Sequence, residues 1–405
     1  MNTSSSRPRW VMAVLAAGIF VTALNMRTTI VSFPPMLEII RADTGLSSSV
    51  VGLVMTLPVI CFALLSLAAP AVAARLGLDR SLILAMALVC GGILIRVLPT
   101  IPPLYLGTVV IGMAIAIGNV LVPSMIKRDF PDHPGLMAAV YGLGMSLGGT
   151  LAAAVMVPIY QNTGLGWRGT LGVLAIPTAI AVLALLPRVW LIESSDLPGR
   201  RRPATPSLWK DLMAWQIALV MGLQSFFFYG LGTYAPTILT DNGMSESTAG
   251  FMWSICNLGA IPASFVMPLL FARGLNQRLL MMGVAAMFSI SIVGMLVAPV
   301  TLTPVWMISM GIAGAGSFAA VLLFIVQRTP DAAHASALSG MSQAVGYGIA
   351  AVAPFLFGAL HDLTGGWTAP ILVVLAMIVP FVWAALGACR PVLVGQAAPV
   401  AVVGD

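Results

Sequence analysis

Long and nearly continuous apolar runs, separated by short polar connections, fill most of this 405-residue chain. Spanning a hydrocarbon core of about 30 Å takes roughly 20 apolar residues, and each run is about that long. Lipid offers no hydrogen-bond partner to the backbone, so such runs predict transmembrane α-helices. Twelve helices are predicted, at about 10–36, 46–74, 80–98, 101–126, 135–161, 167–190, 211–240, 245–272, 277–298, 301–326, 334–361 and 367–388.

The segment ESSDLPGRRRPATPSLWK at 193–210 interrupts this pattern, because it is polar, basic and rich in proline. Such composition is typical of a linker. We therefore predict an N-terminal six-helix bundle at 1–192, a cytoplasmic linker at 193–210, a C-terminal bundle at 211–390 and a cytoplasmic tail at 391–405.

The two predicted bundles also repeat each other in sequence. An offset of 198 pairs Gly45 with Gly243 and Arg80 with Arg278, and an offset of 200 pairs Trp167 with Trp367. Two halves of equal topology predict an all-α membrane protein with the major facilitator superfamily fold, which has 12 transmembrane helices in two pseudo-symmetric six-helix bundles. In that fold the substrate site lies near the midplane between the halves, and alternating access arises from rocking of one half against the other.

Composition supports a membrane protein, since 59% of the residues are hydrophobic and 8% are charged, against about 25% charged in soluble domains. The net charge of +6 does not indicate a nucleic-acid partner, because the basic residues are spread over short loops. Their bias places both termini in the cytoplasm. Only Arg41 and Arg168, with Arg96 nearby, fall on the outer side, and Arg188 is counted among the inner charges.

Catalytic and metal-binding patterns are not found in the sequence. The four cysteines show no metal spacing, and no Asp or Glu lies well inside a predicted span. A proton relay built on buried carboxylates is therefore difficult to place. We predict that the chain is not an enzyme and that it binds neither a cofactor nor a metal ion.

In the first half, the candidate substrate-binding residues are polar groups inside apolar helices: Arg27, Asn25 and Asn119. A guanidinium in a span is costly, so Arg27 is expected to face a polar cavity and to bind an anion or a polar group. The alternative is that Arg27 extends toward the membrane surface or pairs with Glu38. For Asn119 the alternative is a hydrogen bond between helices.

Candidates in the second half combine amides with aromatic rings, which could stack on a flat ligand. They are Gln224, Phe228, Tyr229, Asn257 and Gln343. When Pro35 is aligned with Pro236, Phe228 falls opposite Arg27. Each of these residues could instead serve helix packing. Basic residues at predicted inner helix ends are candidates for gating or conformational change: Arg75, Lys127, Arg128, Arg273 and Arg328.

Two segments, LNMRTTIVSFPPMLEIIRADTGLSSS and GNVLVPSMIKRDFP, resemble the CynX/NimT branch of the major facilitator superfamily, the cyanate and 2-nitroimidazole permeases. The resemblance implies a permease for a small polar or anionic compound. Two departures stand out. Thr28 occupies a position where the branch often has proline, and Ala74 precedes Arg75 where facilitators usually carry an Asp before the basic residue.

The leading hypothesis is a secondary active transporter that moves a small anionic or planar polar solute across the inner membrane by alternating access. A drug or toxic-compound exporter on the same fold is the alternative, followed by a membrane sensor or channel. The predicted partners are the small-molecule solute and the lipid bilayer, and the chain is expected to be monomeric. Whether a coupling proton or a counter-ion takes part is left open.

Overall fold

The computed structural model describes residues 8–45, 48–192 and 208–395, and almost all of them are helical. The first half contains nine helices within its described residues, with a 3₁₀ turn at Pro34–Met36 between the first two. They are α1 (Arg9–Val31), α2 (Leu37–Thr44), α3 (Ser48–Leu65), α4 (Ala69–Leu76), α5 (Leu78–Arg96), α6 (Ile101–Asp129), α7 (Pro134–Thr163), α8 (Gly166–Gly172) and α9 (Ala175–Ile192).

The described residues of the second half contain seven further helices, which follow a 3₁₀ turn at Leu208–Lys210. They are α10 (Leu212–Asp241), α11 (Glu246–Ala272), α12 (Gln277–Val297), α13 (Thr303–Gln327), α14 (Ala332–Thr364), α15 (Thr368–Ala376) and α16 (Ile378–Ala388).

Within the described residues, eleven segments are long and apolar enough to cross a membrane, and a bent helix pair completes a twelfth. This pair is α3 and α4, which meet at an angle of 64° where the sequence predicts one straight span. The all-helical fold with twelve spans is confirmed.

Contacts divide the chain into two compact units, Met1–Arg201 and Arg202–Asp405. In each unit the fourth span, α6 or α13, is among the most deeply buried of its helices. The predicted linker lies mostly outside the described residues, as does most of the predicted tail. The boundaries of both segments therefore stay predictions.

The internal repeat extends to single hydrogen bonds. The indole N–H of Trp167 donates to the Asp43 carboxylate over 2.8 Å, and that of Trp367 donates to Asp241 over 2.7 Å. Each bond starts at the beginning of a unit's sixth span. Asp43 lies in α2, after the first span of its unit, and Asp241 is the last residue of α10, the first span of the other unit. The same type of polar contact therefore recurs at a similar place in both units.

Glycines bring α7 into backbone contact with α1. A Cβ at Gly144 would lie 2.7 Å from the Phe20 carbonyl oxygen, and a Cβ at Gly148 would collide with the Leu24 carbonyl. The Thr28 hydroxyl also donates to the Gly148 carbonyl over 3.0 Å. This close approach, expected for small residues four apart, fixes how α1 presents its polar residues.

Candidate functional site

Arg27 lies in the middle of the first span and is partly exposed. Its aliphatic stem passes Gly149 of α7, where an added Cβ would lie 3.3 Å from the Arg27 Cγ. Within the described residues, Arg27 makes no hydrogen bond and no ion pair. The side chain of Glu38, its suggested alternative partner, is not among the described side chains. The guanidinium thus keeps its N–H donors available among the described residues.

A buried hydrogen bond stands close to Arg27. The Tyr141 hydroxyl donates to the Asn119 side-chain oxygen over 2.9 Å, which joins α7 to α6. Arg27 is near enough to Tyr141 for an electrostatic interaction. The amide nitrogen of Asn119 has no protein acceptor among the described residues, so Asn119 has both a helix-packing role and a donor to spare.

Asn25 is 2% exposed, and protein groups occupy both ends of its amide. Its nitrogen donates to the Val21 carbonyl over 2.9 Å, and its oxygen accepts from the Thr178 hydroxyl over 3.2 Å. The first bond lies within α1, and the second joins α1 to α9. A direct solute contact at Asn25 stays a prediction, which would use the second N–H or the second lone pair of the amide.

In the second unit, the two amide candidates are buried and differ in their partners. The Gln224 nitrogen donates to the Ser225 hydroxyl over 2.6 Å. The Gln343 nitrogen donates to the Ser339 hydroxyl over 3.1 Å. The Gln343 side-chain oxygen is buried and has no partner in the described part of the chain. The hydrogen bonds of Gln224 within the described residues are all made by its nitrogen, so the side-chain oxygens of both residues are available as acceptors.

Phe228 and Tyr229 form a partly exposed aromatic group with Trp253. The Phe228 ring lies 5.7 Å from that of Tyr229 and 5.6 Å from that of Trp253, with edge and tilted geometry. Asn257 follows Trp253 by one helical turn on α11 and is exposed. The sequence analysis did not single out Trp253, although it belongs to this group.

Four charged side chains form a cluster in the first unit, at the ends of α5, α6 and α9. Arg128 pairs with Asp79 over 2.7 Å and with Asp129 over 2.7 Å. Arg188 pairs with Asp79 over 2.9 Å and with Asp129 over 2.7 Å. Two arginines and two carboxylates thus balance, and the bonds join three helices.

The equivalent position in the second unit holds one arginine with neutral partners. Arg328 donates to the Gln277 side-chain oxygen over 2.5 Å and to the main-chain oxygens of Ala388 and Cys389 over 3.2 and 3.3 Å. Burial lowers the pKa of the Arg328 guanidinium below its ordinary value. The repeat therefore retains an arginine here but replaces the carboxylates.

The other gating candidates are Arg75, Arg273 and Lys127. Arg75 and Arg273, which the repeat pairs with each other, are both exposed, and Lys127 is partly buried. A role for these three residues in gating stays a prediction.

The sequence analysis counted Arg188 among the inner charges and gave it no partner, whereas Arg188 is fully buried within α9. The cluster was missed because Asp79 and Asp129 lie at helix ends, where sequence reasoning assigns charges to loops. One signal was available: Arg188 interrupts the apolar run LALLPRVWLI, just as Arg27 interrupts its own run.

Twelve spans in two repeated six-helix units are the architecture of a multi-pass membrane transporter. The Major Facilitator Superfamily profile matches residues 15–351. The 2-nitroimidazole transporter of Escherichia coli (strain K12) is 36% identical over 93% of this chain and 95% of its own length. The chain therefore belongs to the Major Facilitator Superfamily.

Two further proteins extend this comparison. The cyanate transport protein CynX of Escherichia coli (strain K12) is 26% identical over 86% of this chain and 90% of its own length. The proton:xylose symporter XylE, solved with 6-bromo-6-deoxy-D-glucose, shares the fold with a TM-score of 0.75. That match covers 93% of this chain and 94% of the symporter, at 14% identity. The resemblance to CynX/NimT transporters is confirmed.

Proposed function

We propose that this transporter is a secondary active permease that moves a small anionic or planar polar solute across the bacterial inner membrane by alternating access. Arg27 anchors the solute, and Asn119 donates a further hydrogen bond from its free amide nitrogen. Gln343 and the aromatic group of Phe228 and Tyr229 are the main contacts proposed from the second unit. Asn25, Gln224 and Asn257 are secondary ones.

The observation that supports this proposal most directly is the state of Arg27. A guanidinium inside a span costs about 2.5–3.5 kcal/mol on insertion scales. The structure gives Arg27 no protein counter-charge within the described residues, whereas Arg128 and Arg188 each have two carboxylate partners. An arginine without a protein counter-charge is suited to bind a ligand that supplies a negative charge or a polar acceptor.

The printed names of the relatives indicate the range of solutes. One transports 2-nitroimidazole, a planar polar ring, and another transports cyanate, a small anion. A planar fork of N–H donors can bind an anion or a nitro group, and an aromatic side chain can stack on a ring. Both solute types therefore suit the proposed groups.

Transport by purified protein in liposomes tests the proposal. Radiolabelled cyanate and 2-nitroimidazole should show saturable flux, measured in both directions and with or without a pH gradient. Arg27→Ala should lower kcat/KM about 10- to 150-fold, since a hydrogen bond to a charged group contributes about 1.5–3 kcal/mol. Arg278→Gln is the control, because Arg278 is exposed and lies outside the proposed site.

Unchanged solute affinity in Arg27→Ala, with normal flux in the control, would remove Arg27 from the site. Asn119→Ala and Gln343→Ala should lower affinity by smaller factors, of about 2 to 13 for a neutral hydrogen bond. Ion currents that do not saturate with solute would instead identify a channel.

A further inference from the structure

Arg96 is the last residue of α5, and it is the most deeply buried arginine that lacks a counter-charge among the described residues. It is 2% exposed. Its Nε and Nη2 atoms are buried without a hydrogen-bond partner in the described part of the chain. Buried charges in proteins are normally paired, so these donors require an explanation.

Close helix packing holds Arg96 in this position. A Cβ at Gly107 of α6 would lie 2.5 Å from the Gly92 carbonyl oxygen and 2.6 Å from the Arg96 main-chain nitrogen. The backbones of α5 and α6 therefore touch, which leaves the Arg96 side chain little freedom to move toward solvent. The Phe33 ring covers one side of the guanidinium, with its centroid 5.9 Å from the Arg96 Cζ.

A cavity lies beside this guanidinium, entirely within the first unit. It is lined by Arg96 with Thr29, Ile30, Phe33, Val54, Met55, Pro58, Thr108 and Ile111. Its volume is about 20 Å³, which gives room for an occupant little larger than one water molecule. A small occupant therefore suits it better than a large one.

The chemistry of the lining indicates an anion. The Thr29 hydroxyl already donates to the Asn25 carbonyl, and the Thr108 hydroxyl donates to the Leu104 carbonyl. The unpaired donors of Arg96 therefore dominate, and the described residues that line the cavity include no carboxylate. The other lining side chains are apolar, so an ion that loses its hydration shell easily is favoured over a strongly hydrated one.

We propose that Arg96 and this cavity form a binding site for a small, weakly hydrated monovalent anion such as nitrate. The site is separate from the one proposed at Arg27. Residues two apart on a helix point in nearly opposite directions, so Thr29 faces the cavity while Arg27 faces Gly149 of α7. The proposal does not depend on the transported solute.

Thermal unfolding in detergent, at constant ionic strength, tests this site with sodium nitrate against sodium gluconate. Nitrate at about ten times its dissociation constant should raise the Tm of the wild-type protein by roughly 3 °C. Arg96→Met should abolish this rise. Arg27→Met should retain it, and so should Arg168→Gln, the control on a partly exposed arginine of the same unit.

The assignment would be overturned if nitrate still raised the Tm of Arg96→Met, or if it failed to raise the Tm of Arg27→Met or Arg168→Gln. It would also be overturned if nitrate did not raise the Tm of the wild-type protein. A crystal soaked in bromide gives a measurement that needs no variant. An anomalous peak is expected within about 3.5 Å of the Arg96 guanidinium. A well-ordered crystal without this peak would contradict the proposal. Because these readouts involve no flux, their failure leaves the proposed transport function untouched.

Discussion

The two units place an arginine at the same position of the repeat but surround it with different hydrogen-bond acceptors. In the first unit, Asp79 contacts both Arg128 and Arg188. In the second unit, Gln277 occupies the position equivalent to Asp79 and accepts from Arg328. Ala388 is the residue equivalent to Arg188 in the repeat, and its main-chain oxygen also accepts a hydrogen bond from Arg328.

This difference separates what the repeat requires from what each unit can vary. A guanidinium with several acceptors joins three helix ends in both units, so the geometry of the junction is preserved. The charges differ: the first unit holds two ion-paired arginines, while the second holds one arginine and neutral acceptors. Removing one member of a buried ion pair leaves the other charge without a partner, which is costly. A substitution at the junction of the first unit should therefore lower the stability of the protein more than one at the junction of the second unit.

The largest effect is expected for Arg188→Met compared with Arg328→Met. Removing Arg188 leaves Asp79 and Asp129 with one arginine between them, and breaking a buried ion pair costs about 3–5 kcal/mol. Removing Arg328 leaves only neutral acceptors, and we expect a loss of about 1–3 kcal/mol. The free energy of unfolding, measured by denaturant titration in mixed micelles, checks both values. A larger loss in Arg328→Met would contradict the comparison.

Exchanging the acceptor between the units tests the same difference in both directions. Asp79→Gln gives the first unit the acceptor of the second, and we expect a loss of about 2–3 kcal/mol, since Asp129 still pairs with both arginines. Gln277→Asp supplies Arg328 with a carboxylate and should change stability by less than about 1 kcal/mol, because it also loses a bond to Gln327. Thermal unfolding of the two variants side by side measures the asymmetry. Equal losses would show that the charges at the two junctions are interchangeable.

The hydrogen bonds from Trp167 and Trp367, which the two units share, should contribute equally to stability. Trp167→Phe removes the bond to Asp43, and Trp367→Phe removes the bond to Asp241, while each ring retains its apolar packing. We expect each variant to lose about 1 kcal/mol and the two losses to agree within about 0.5 kcal/mol. Unfolding followed by circular dichroism avoids the change in fluorescence. A clear inequality would mean that the repeat is less faithful here than its geometry indicates.

Sequence reasoning predicted the fold well because apolar run length and the internal repeat depend on local composition. It also found Arg27, because an arginine in an apolar run is visible without coordinates. It missed the cluster around Arg188, since ion pairs between residues about 60 to 110 positions apart leave no local pattern. The burial of Arg96 was missed for a similar reason: it depends on the contact between Gly92 and Gly107.

The smallest effect concerns the beginning of the fifth span in each unit, and it depends on pH. Asp331 caps α14 by accepting from the His334 main-chain N–H over 2.9 Å, whereas α7 begins without a side-chain cap. Partial burial alone would raise the pKa of the Asp331 carboxyl, but the bonds from His334 hold it below its ordinary value. Asp331→Ala should therefore cost about 1 kcal/mol near pH 6.

A carboxyl whose pKa is lower in the folded state stabilises the protein above its unfolded pKa, which is about 3.9. That stabilisation is lost as the pH falls through the lower, folded value. The difference between wild-type protein and Asp331→Ala should therefore shrink below about pH 4. Asp132→Ala, at the equivalent position before α7, should cost less than about 0.5 kcal/mol at every pH, because no cap is lost there. Unfolding curves collected between pH 3 and pH 6 check both expectations. If Asp331→Ala cost the same free energy of unfolding at every pH, the ionised form of Asp331 would not be what stabilises the start of α14.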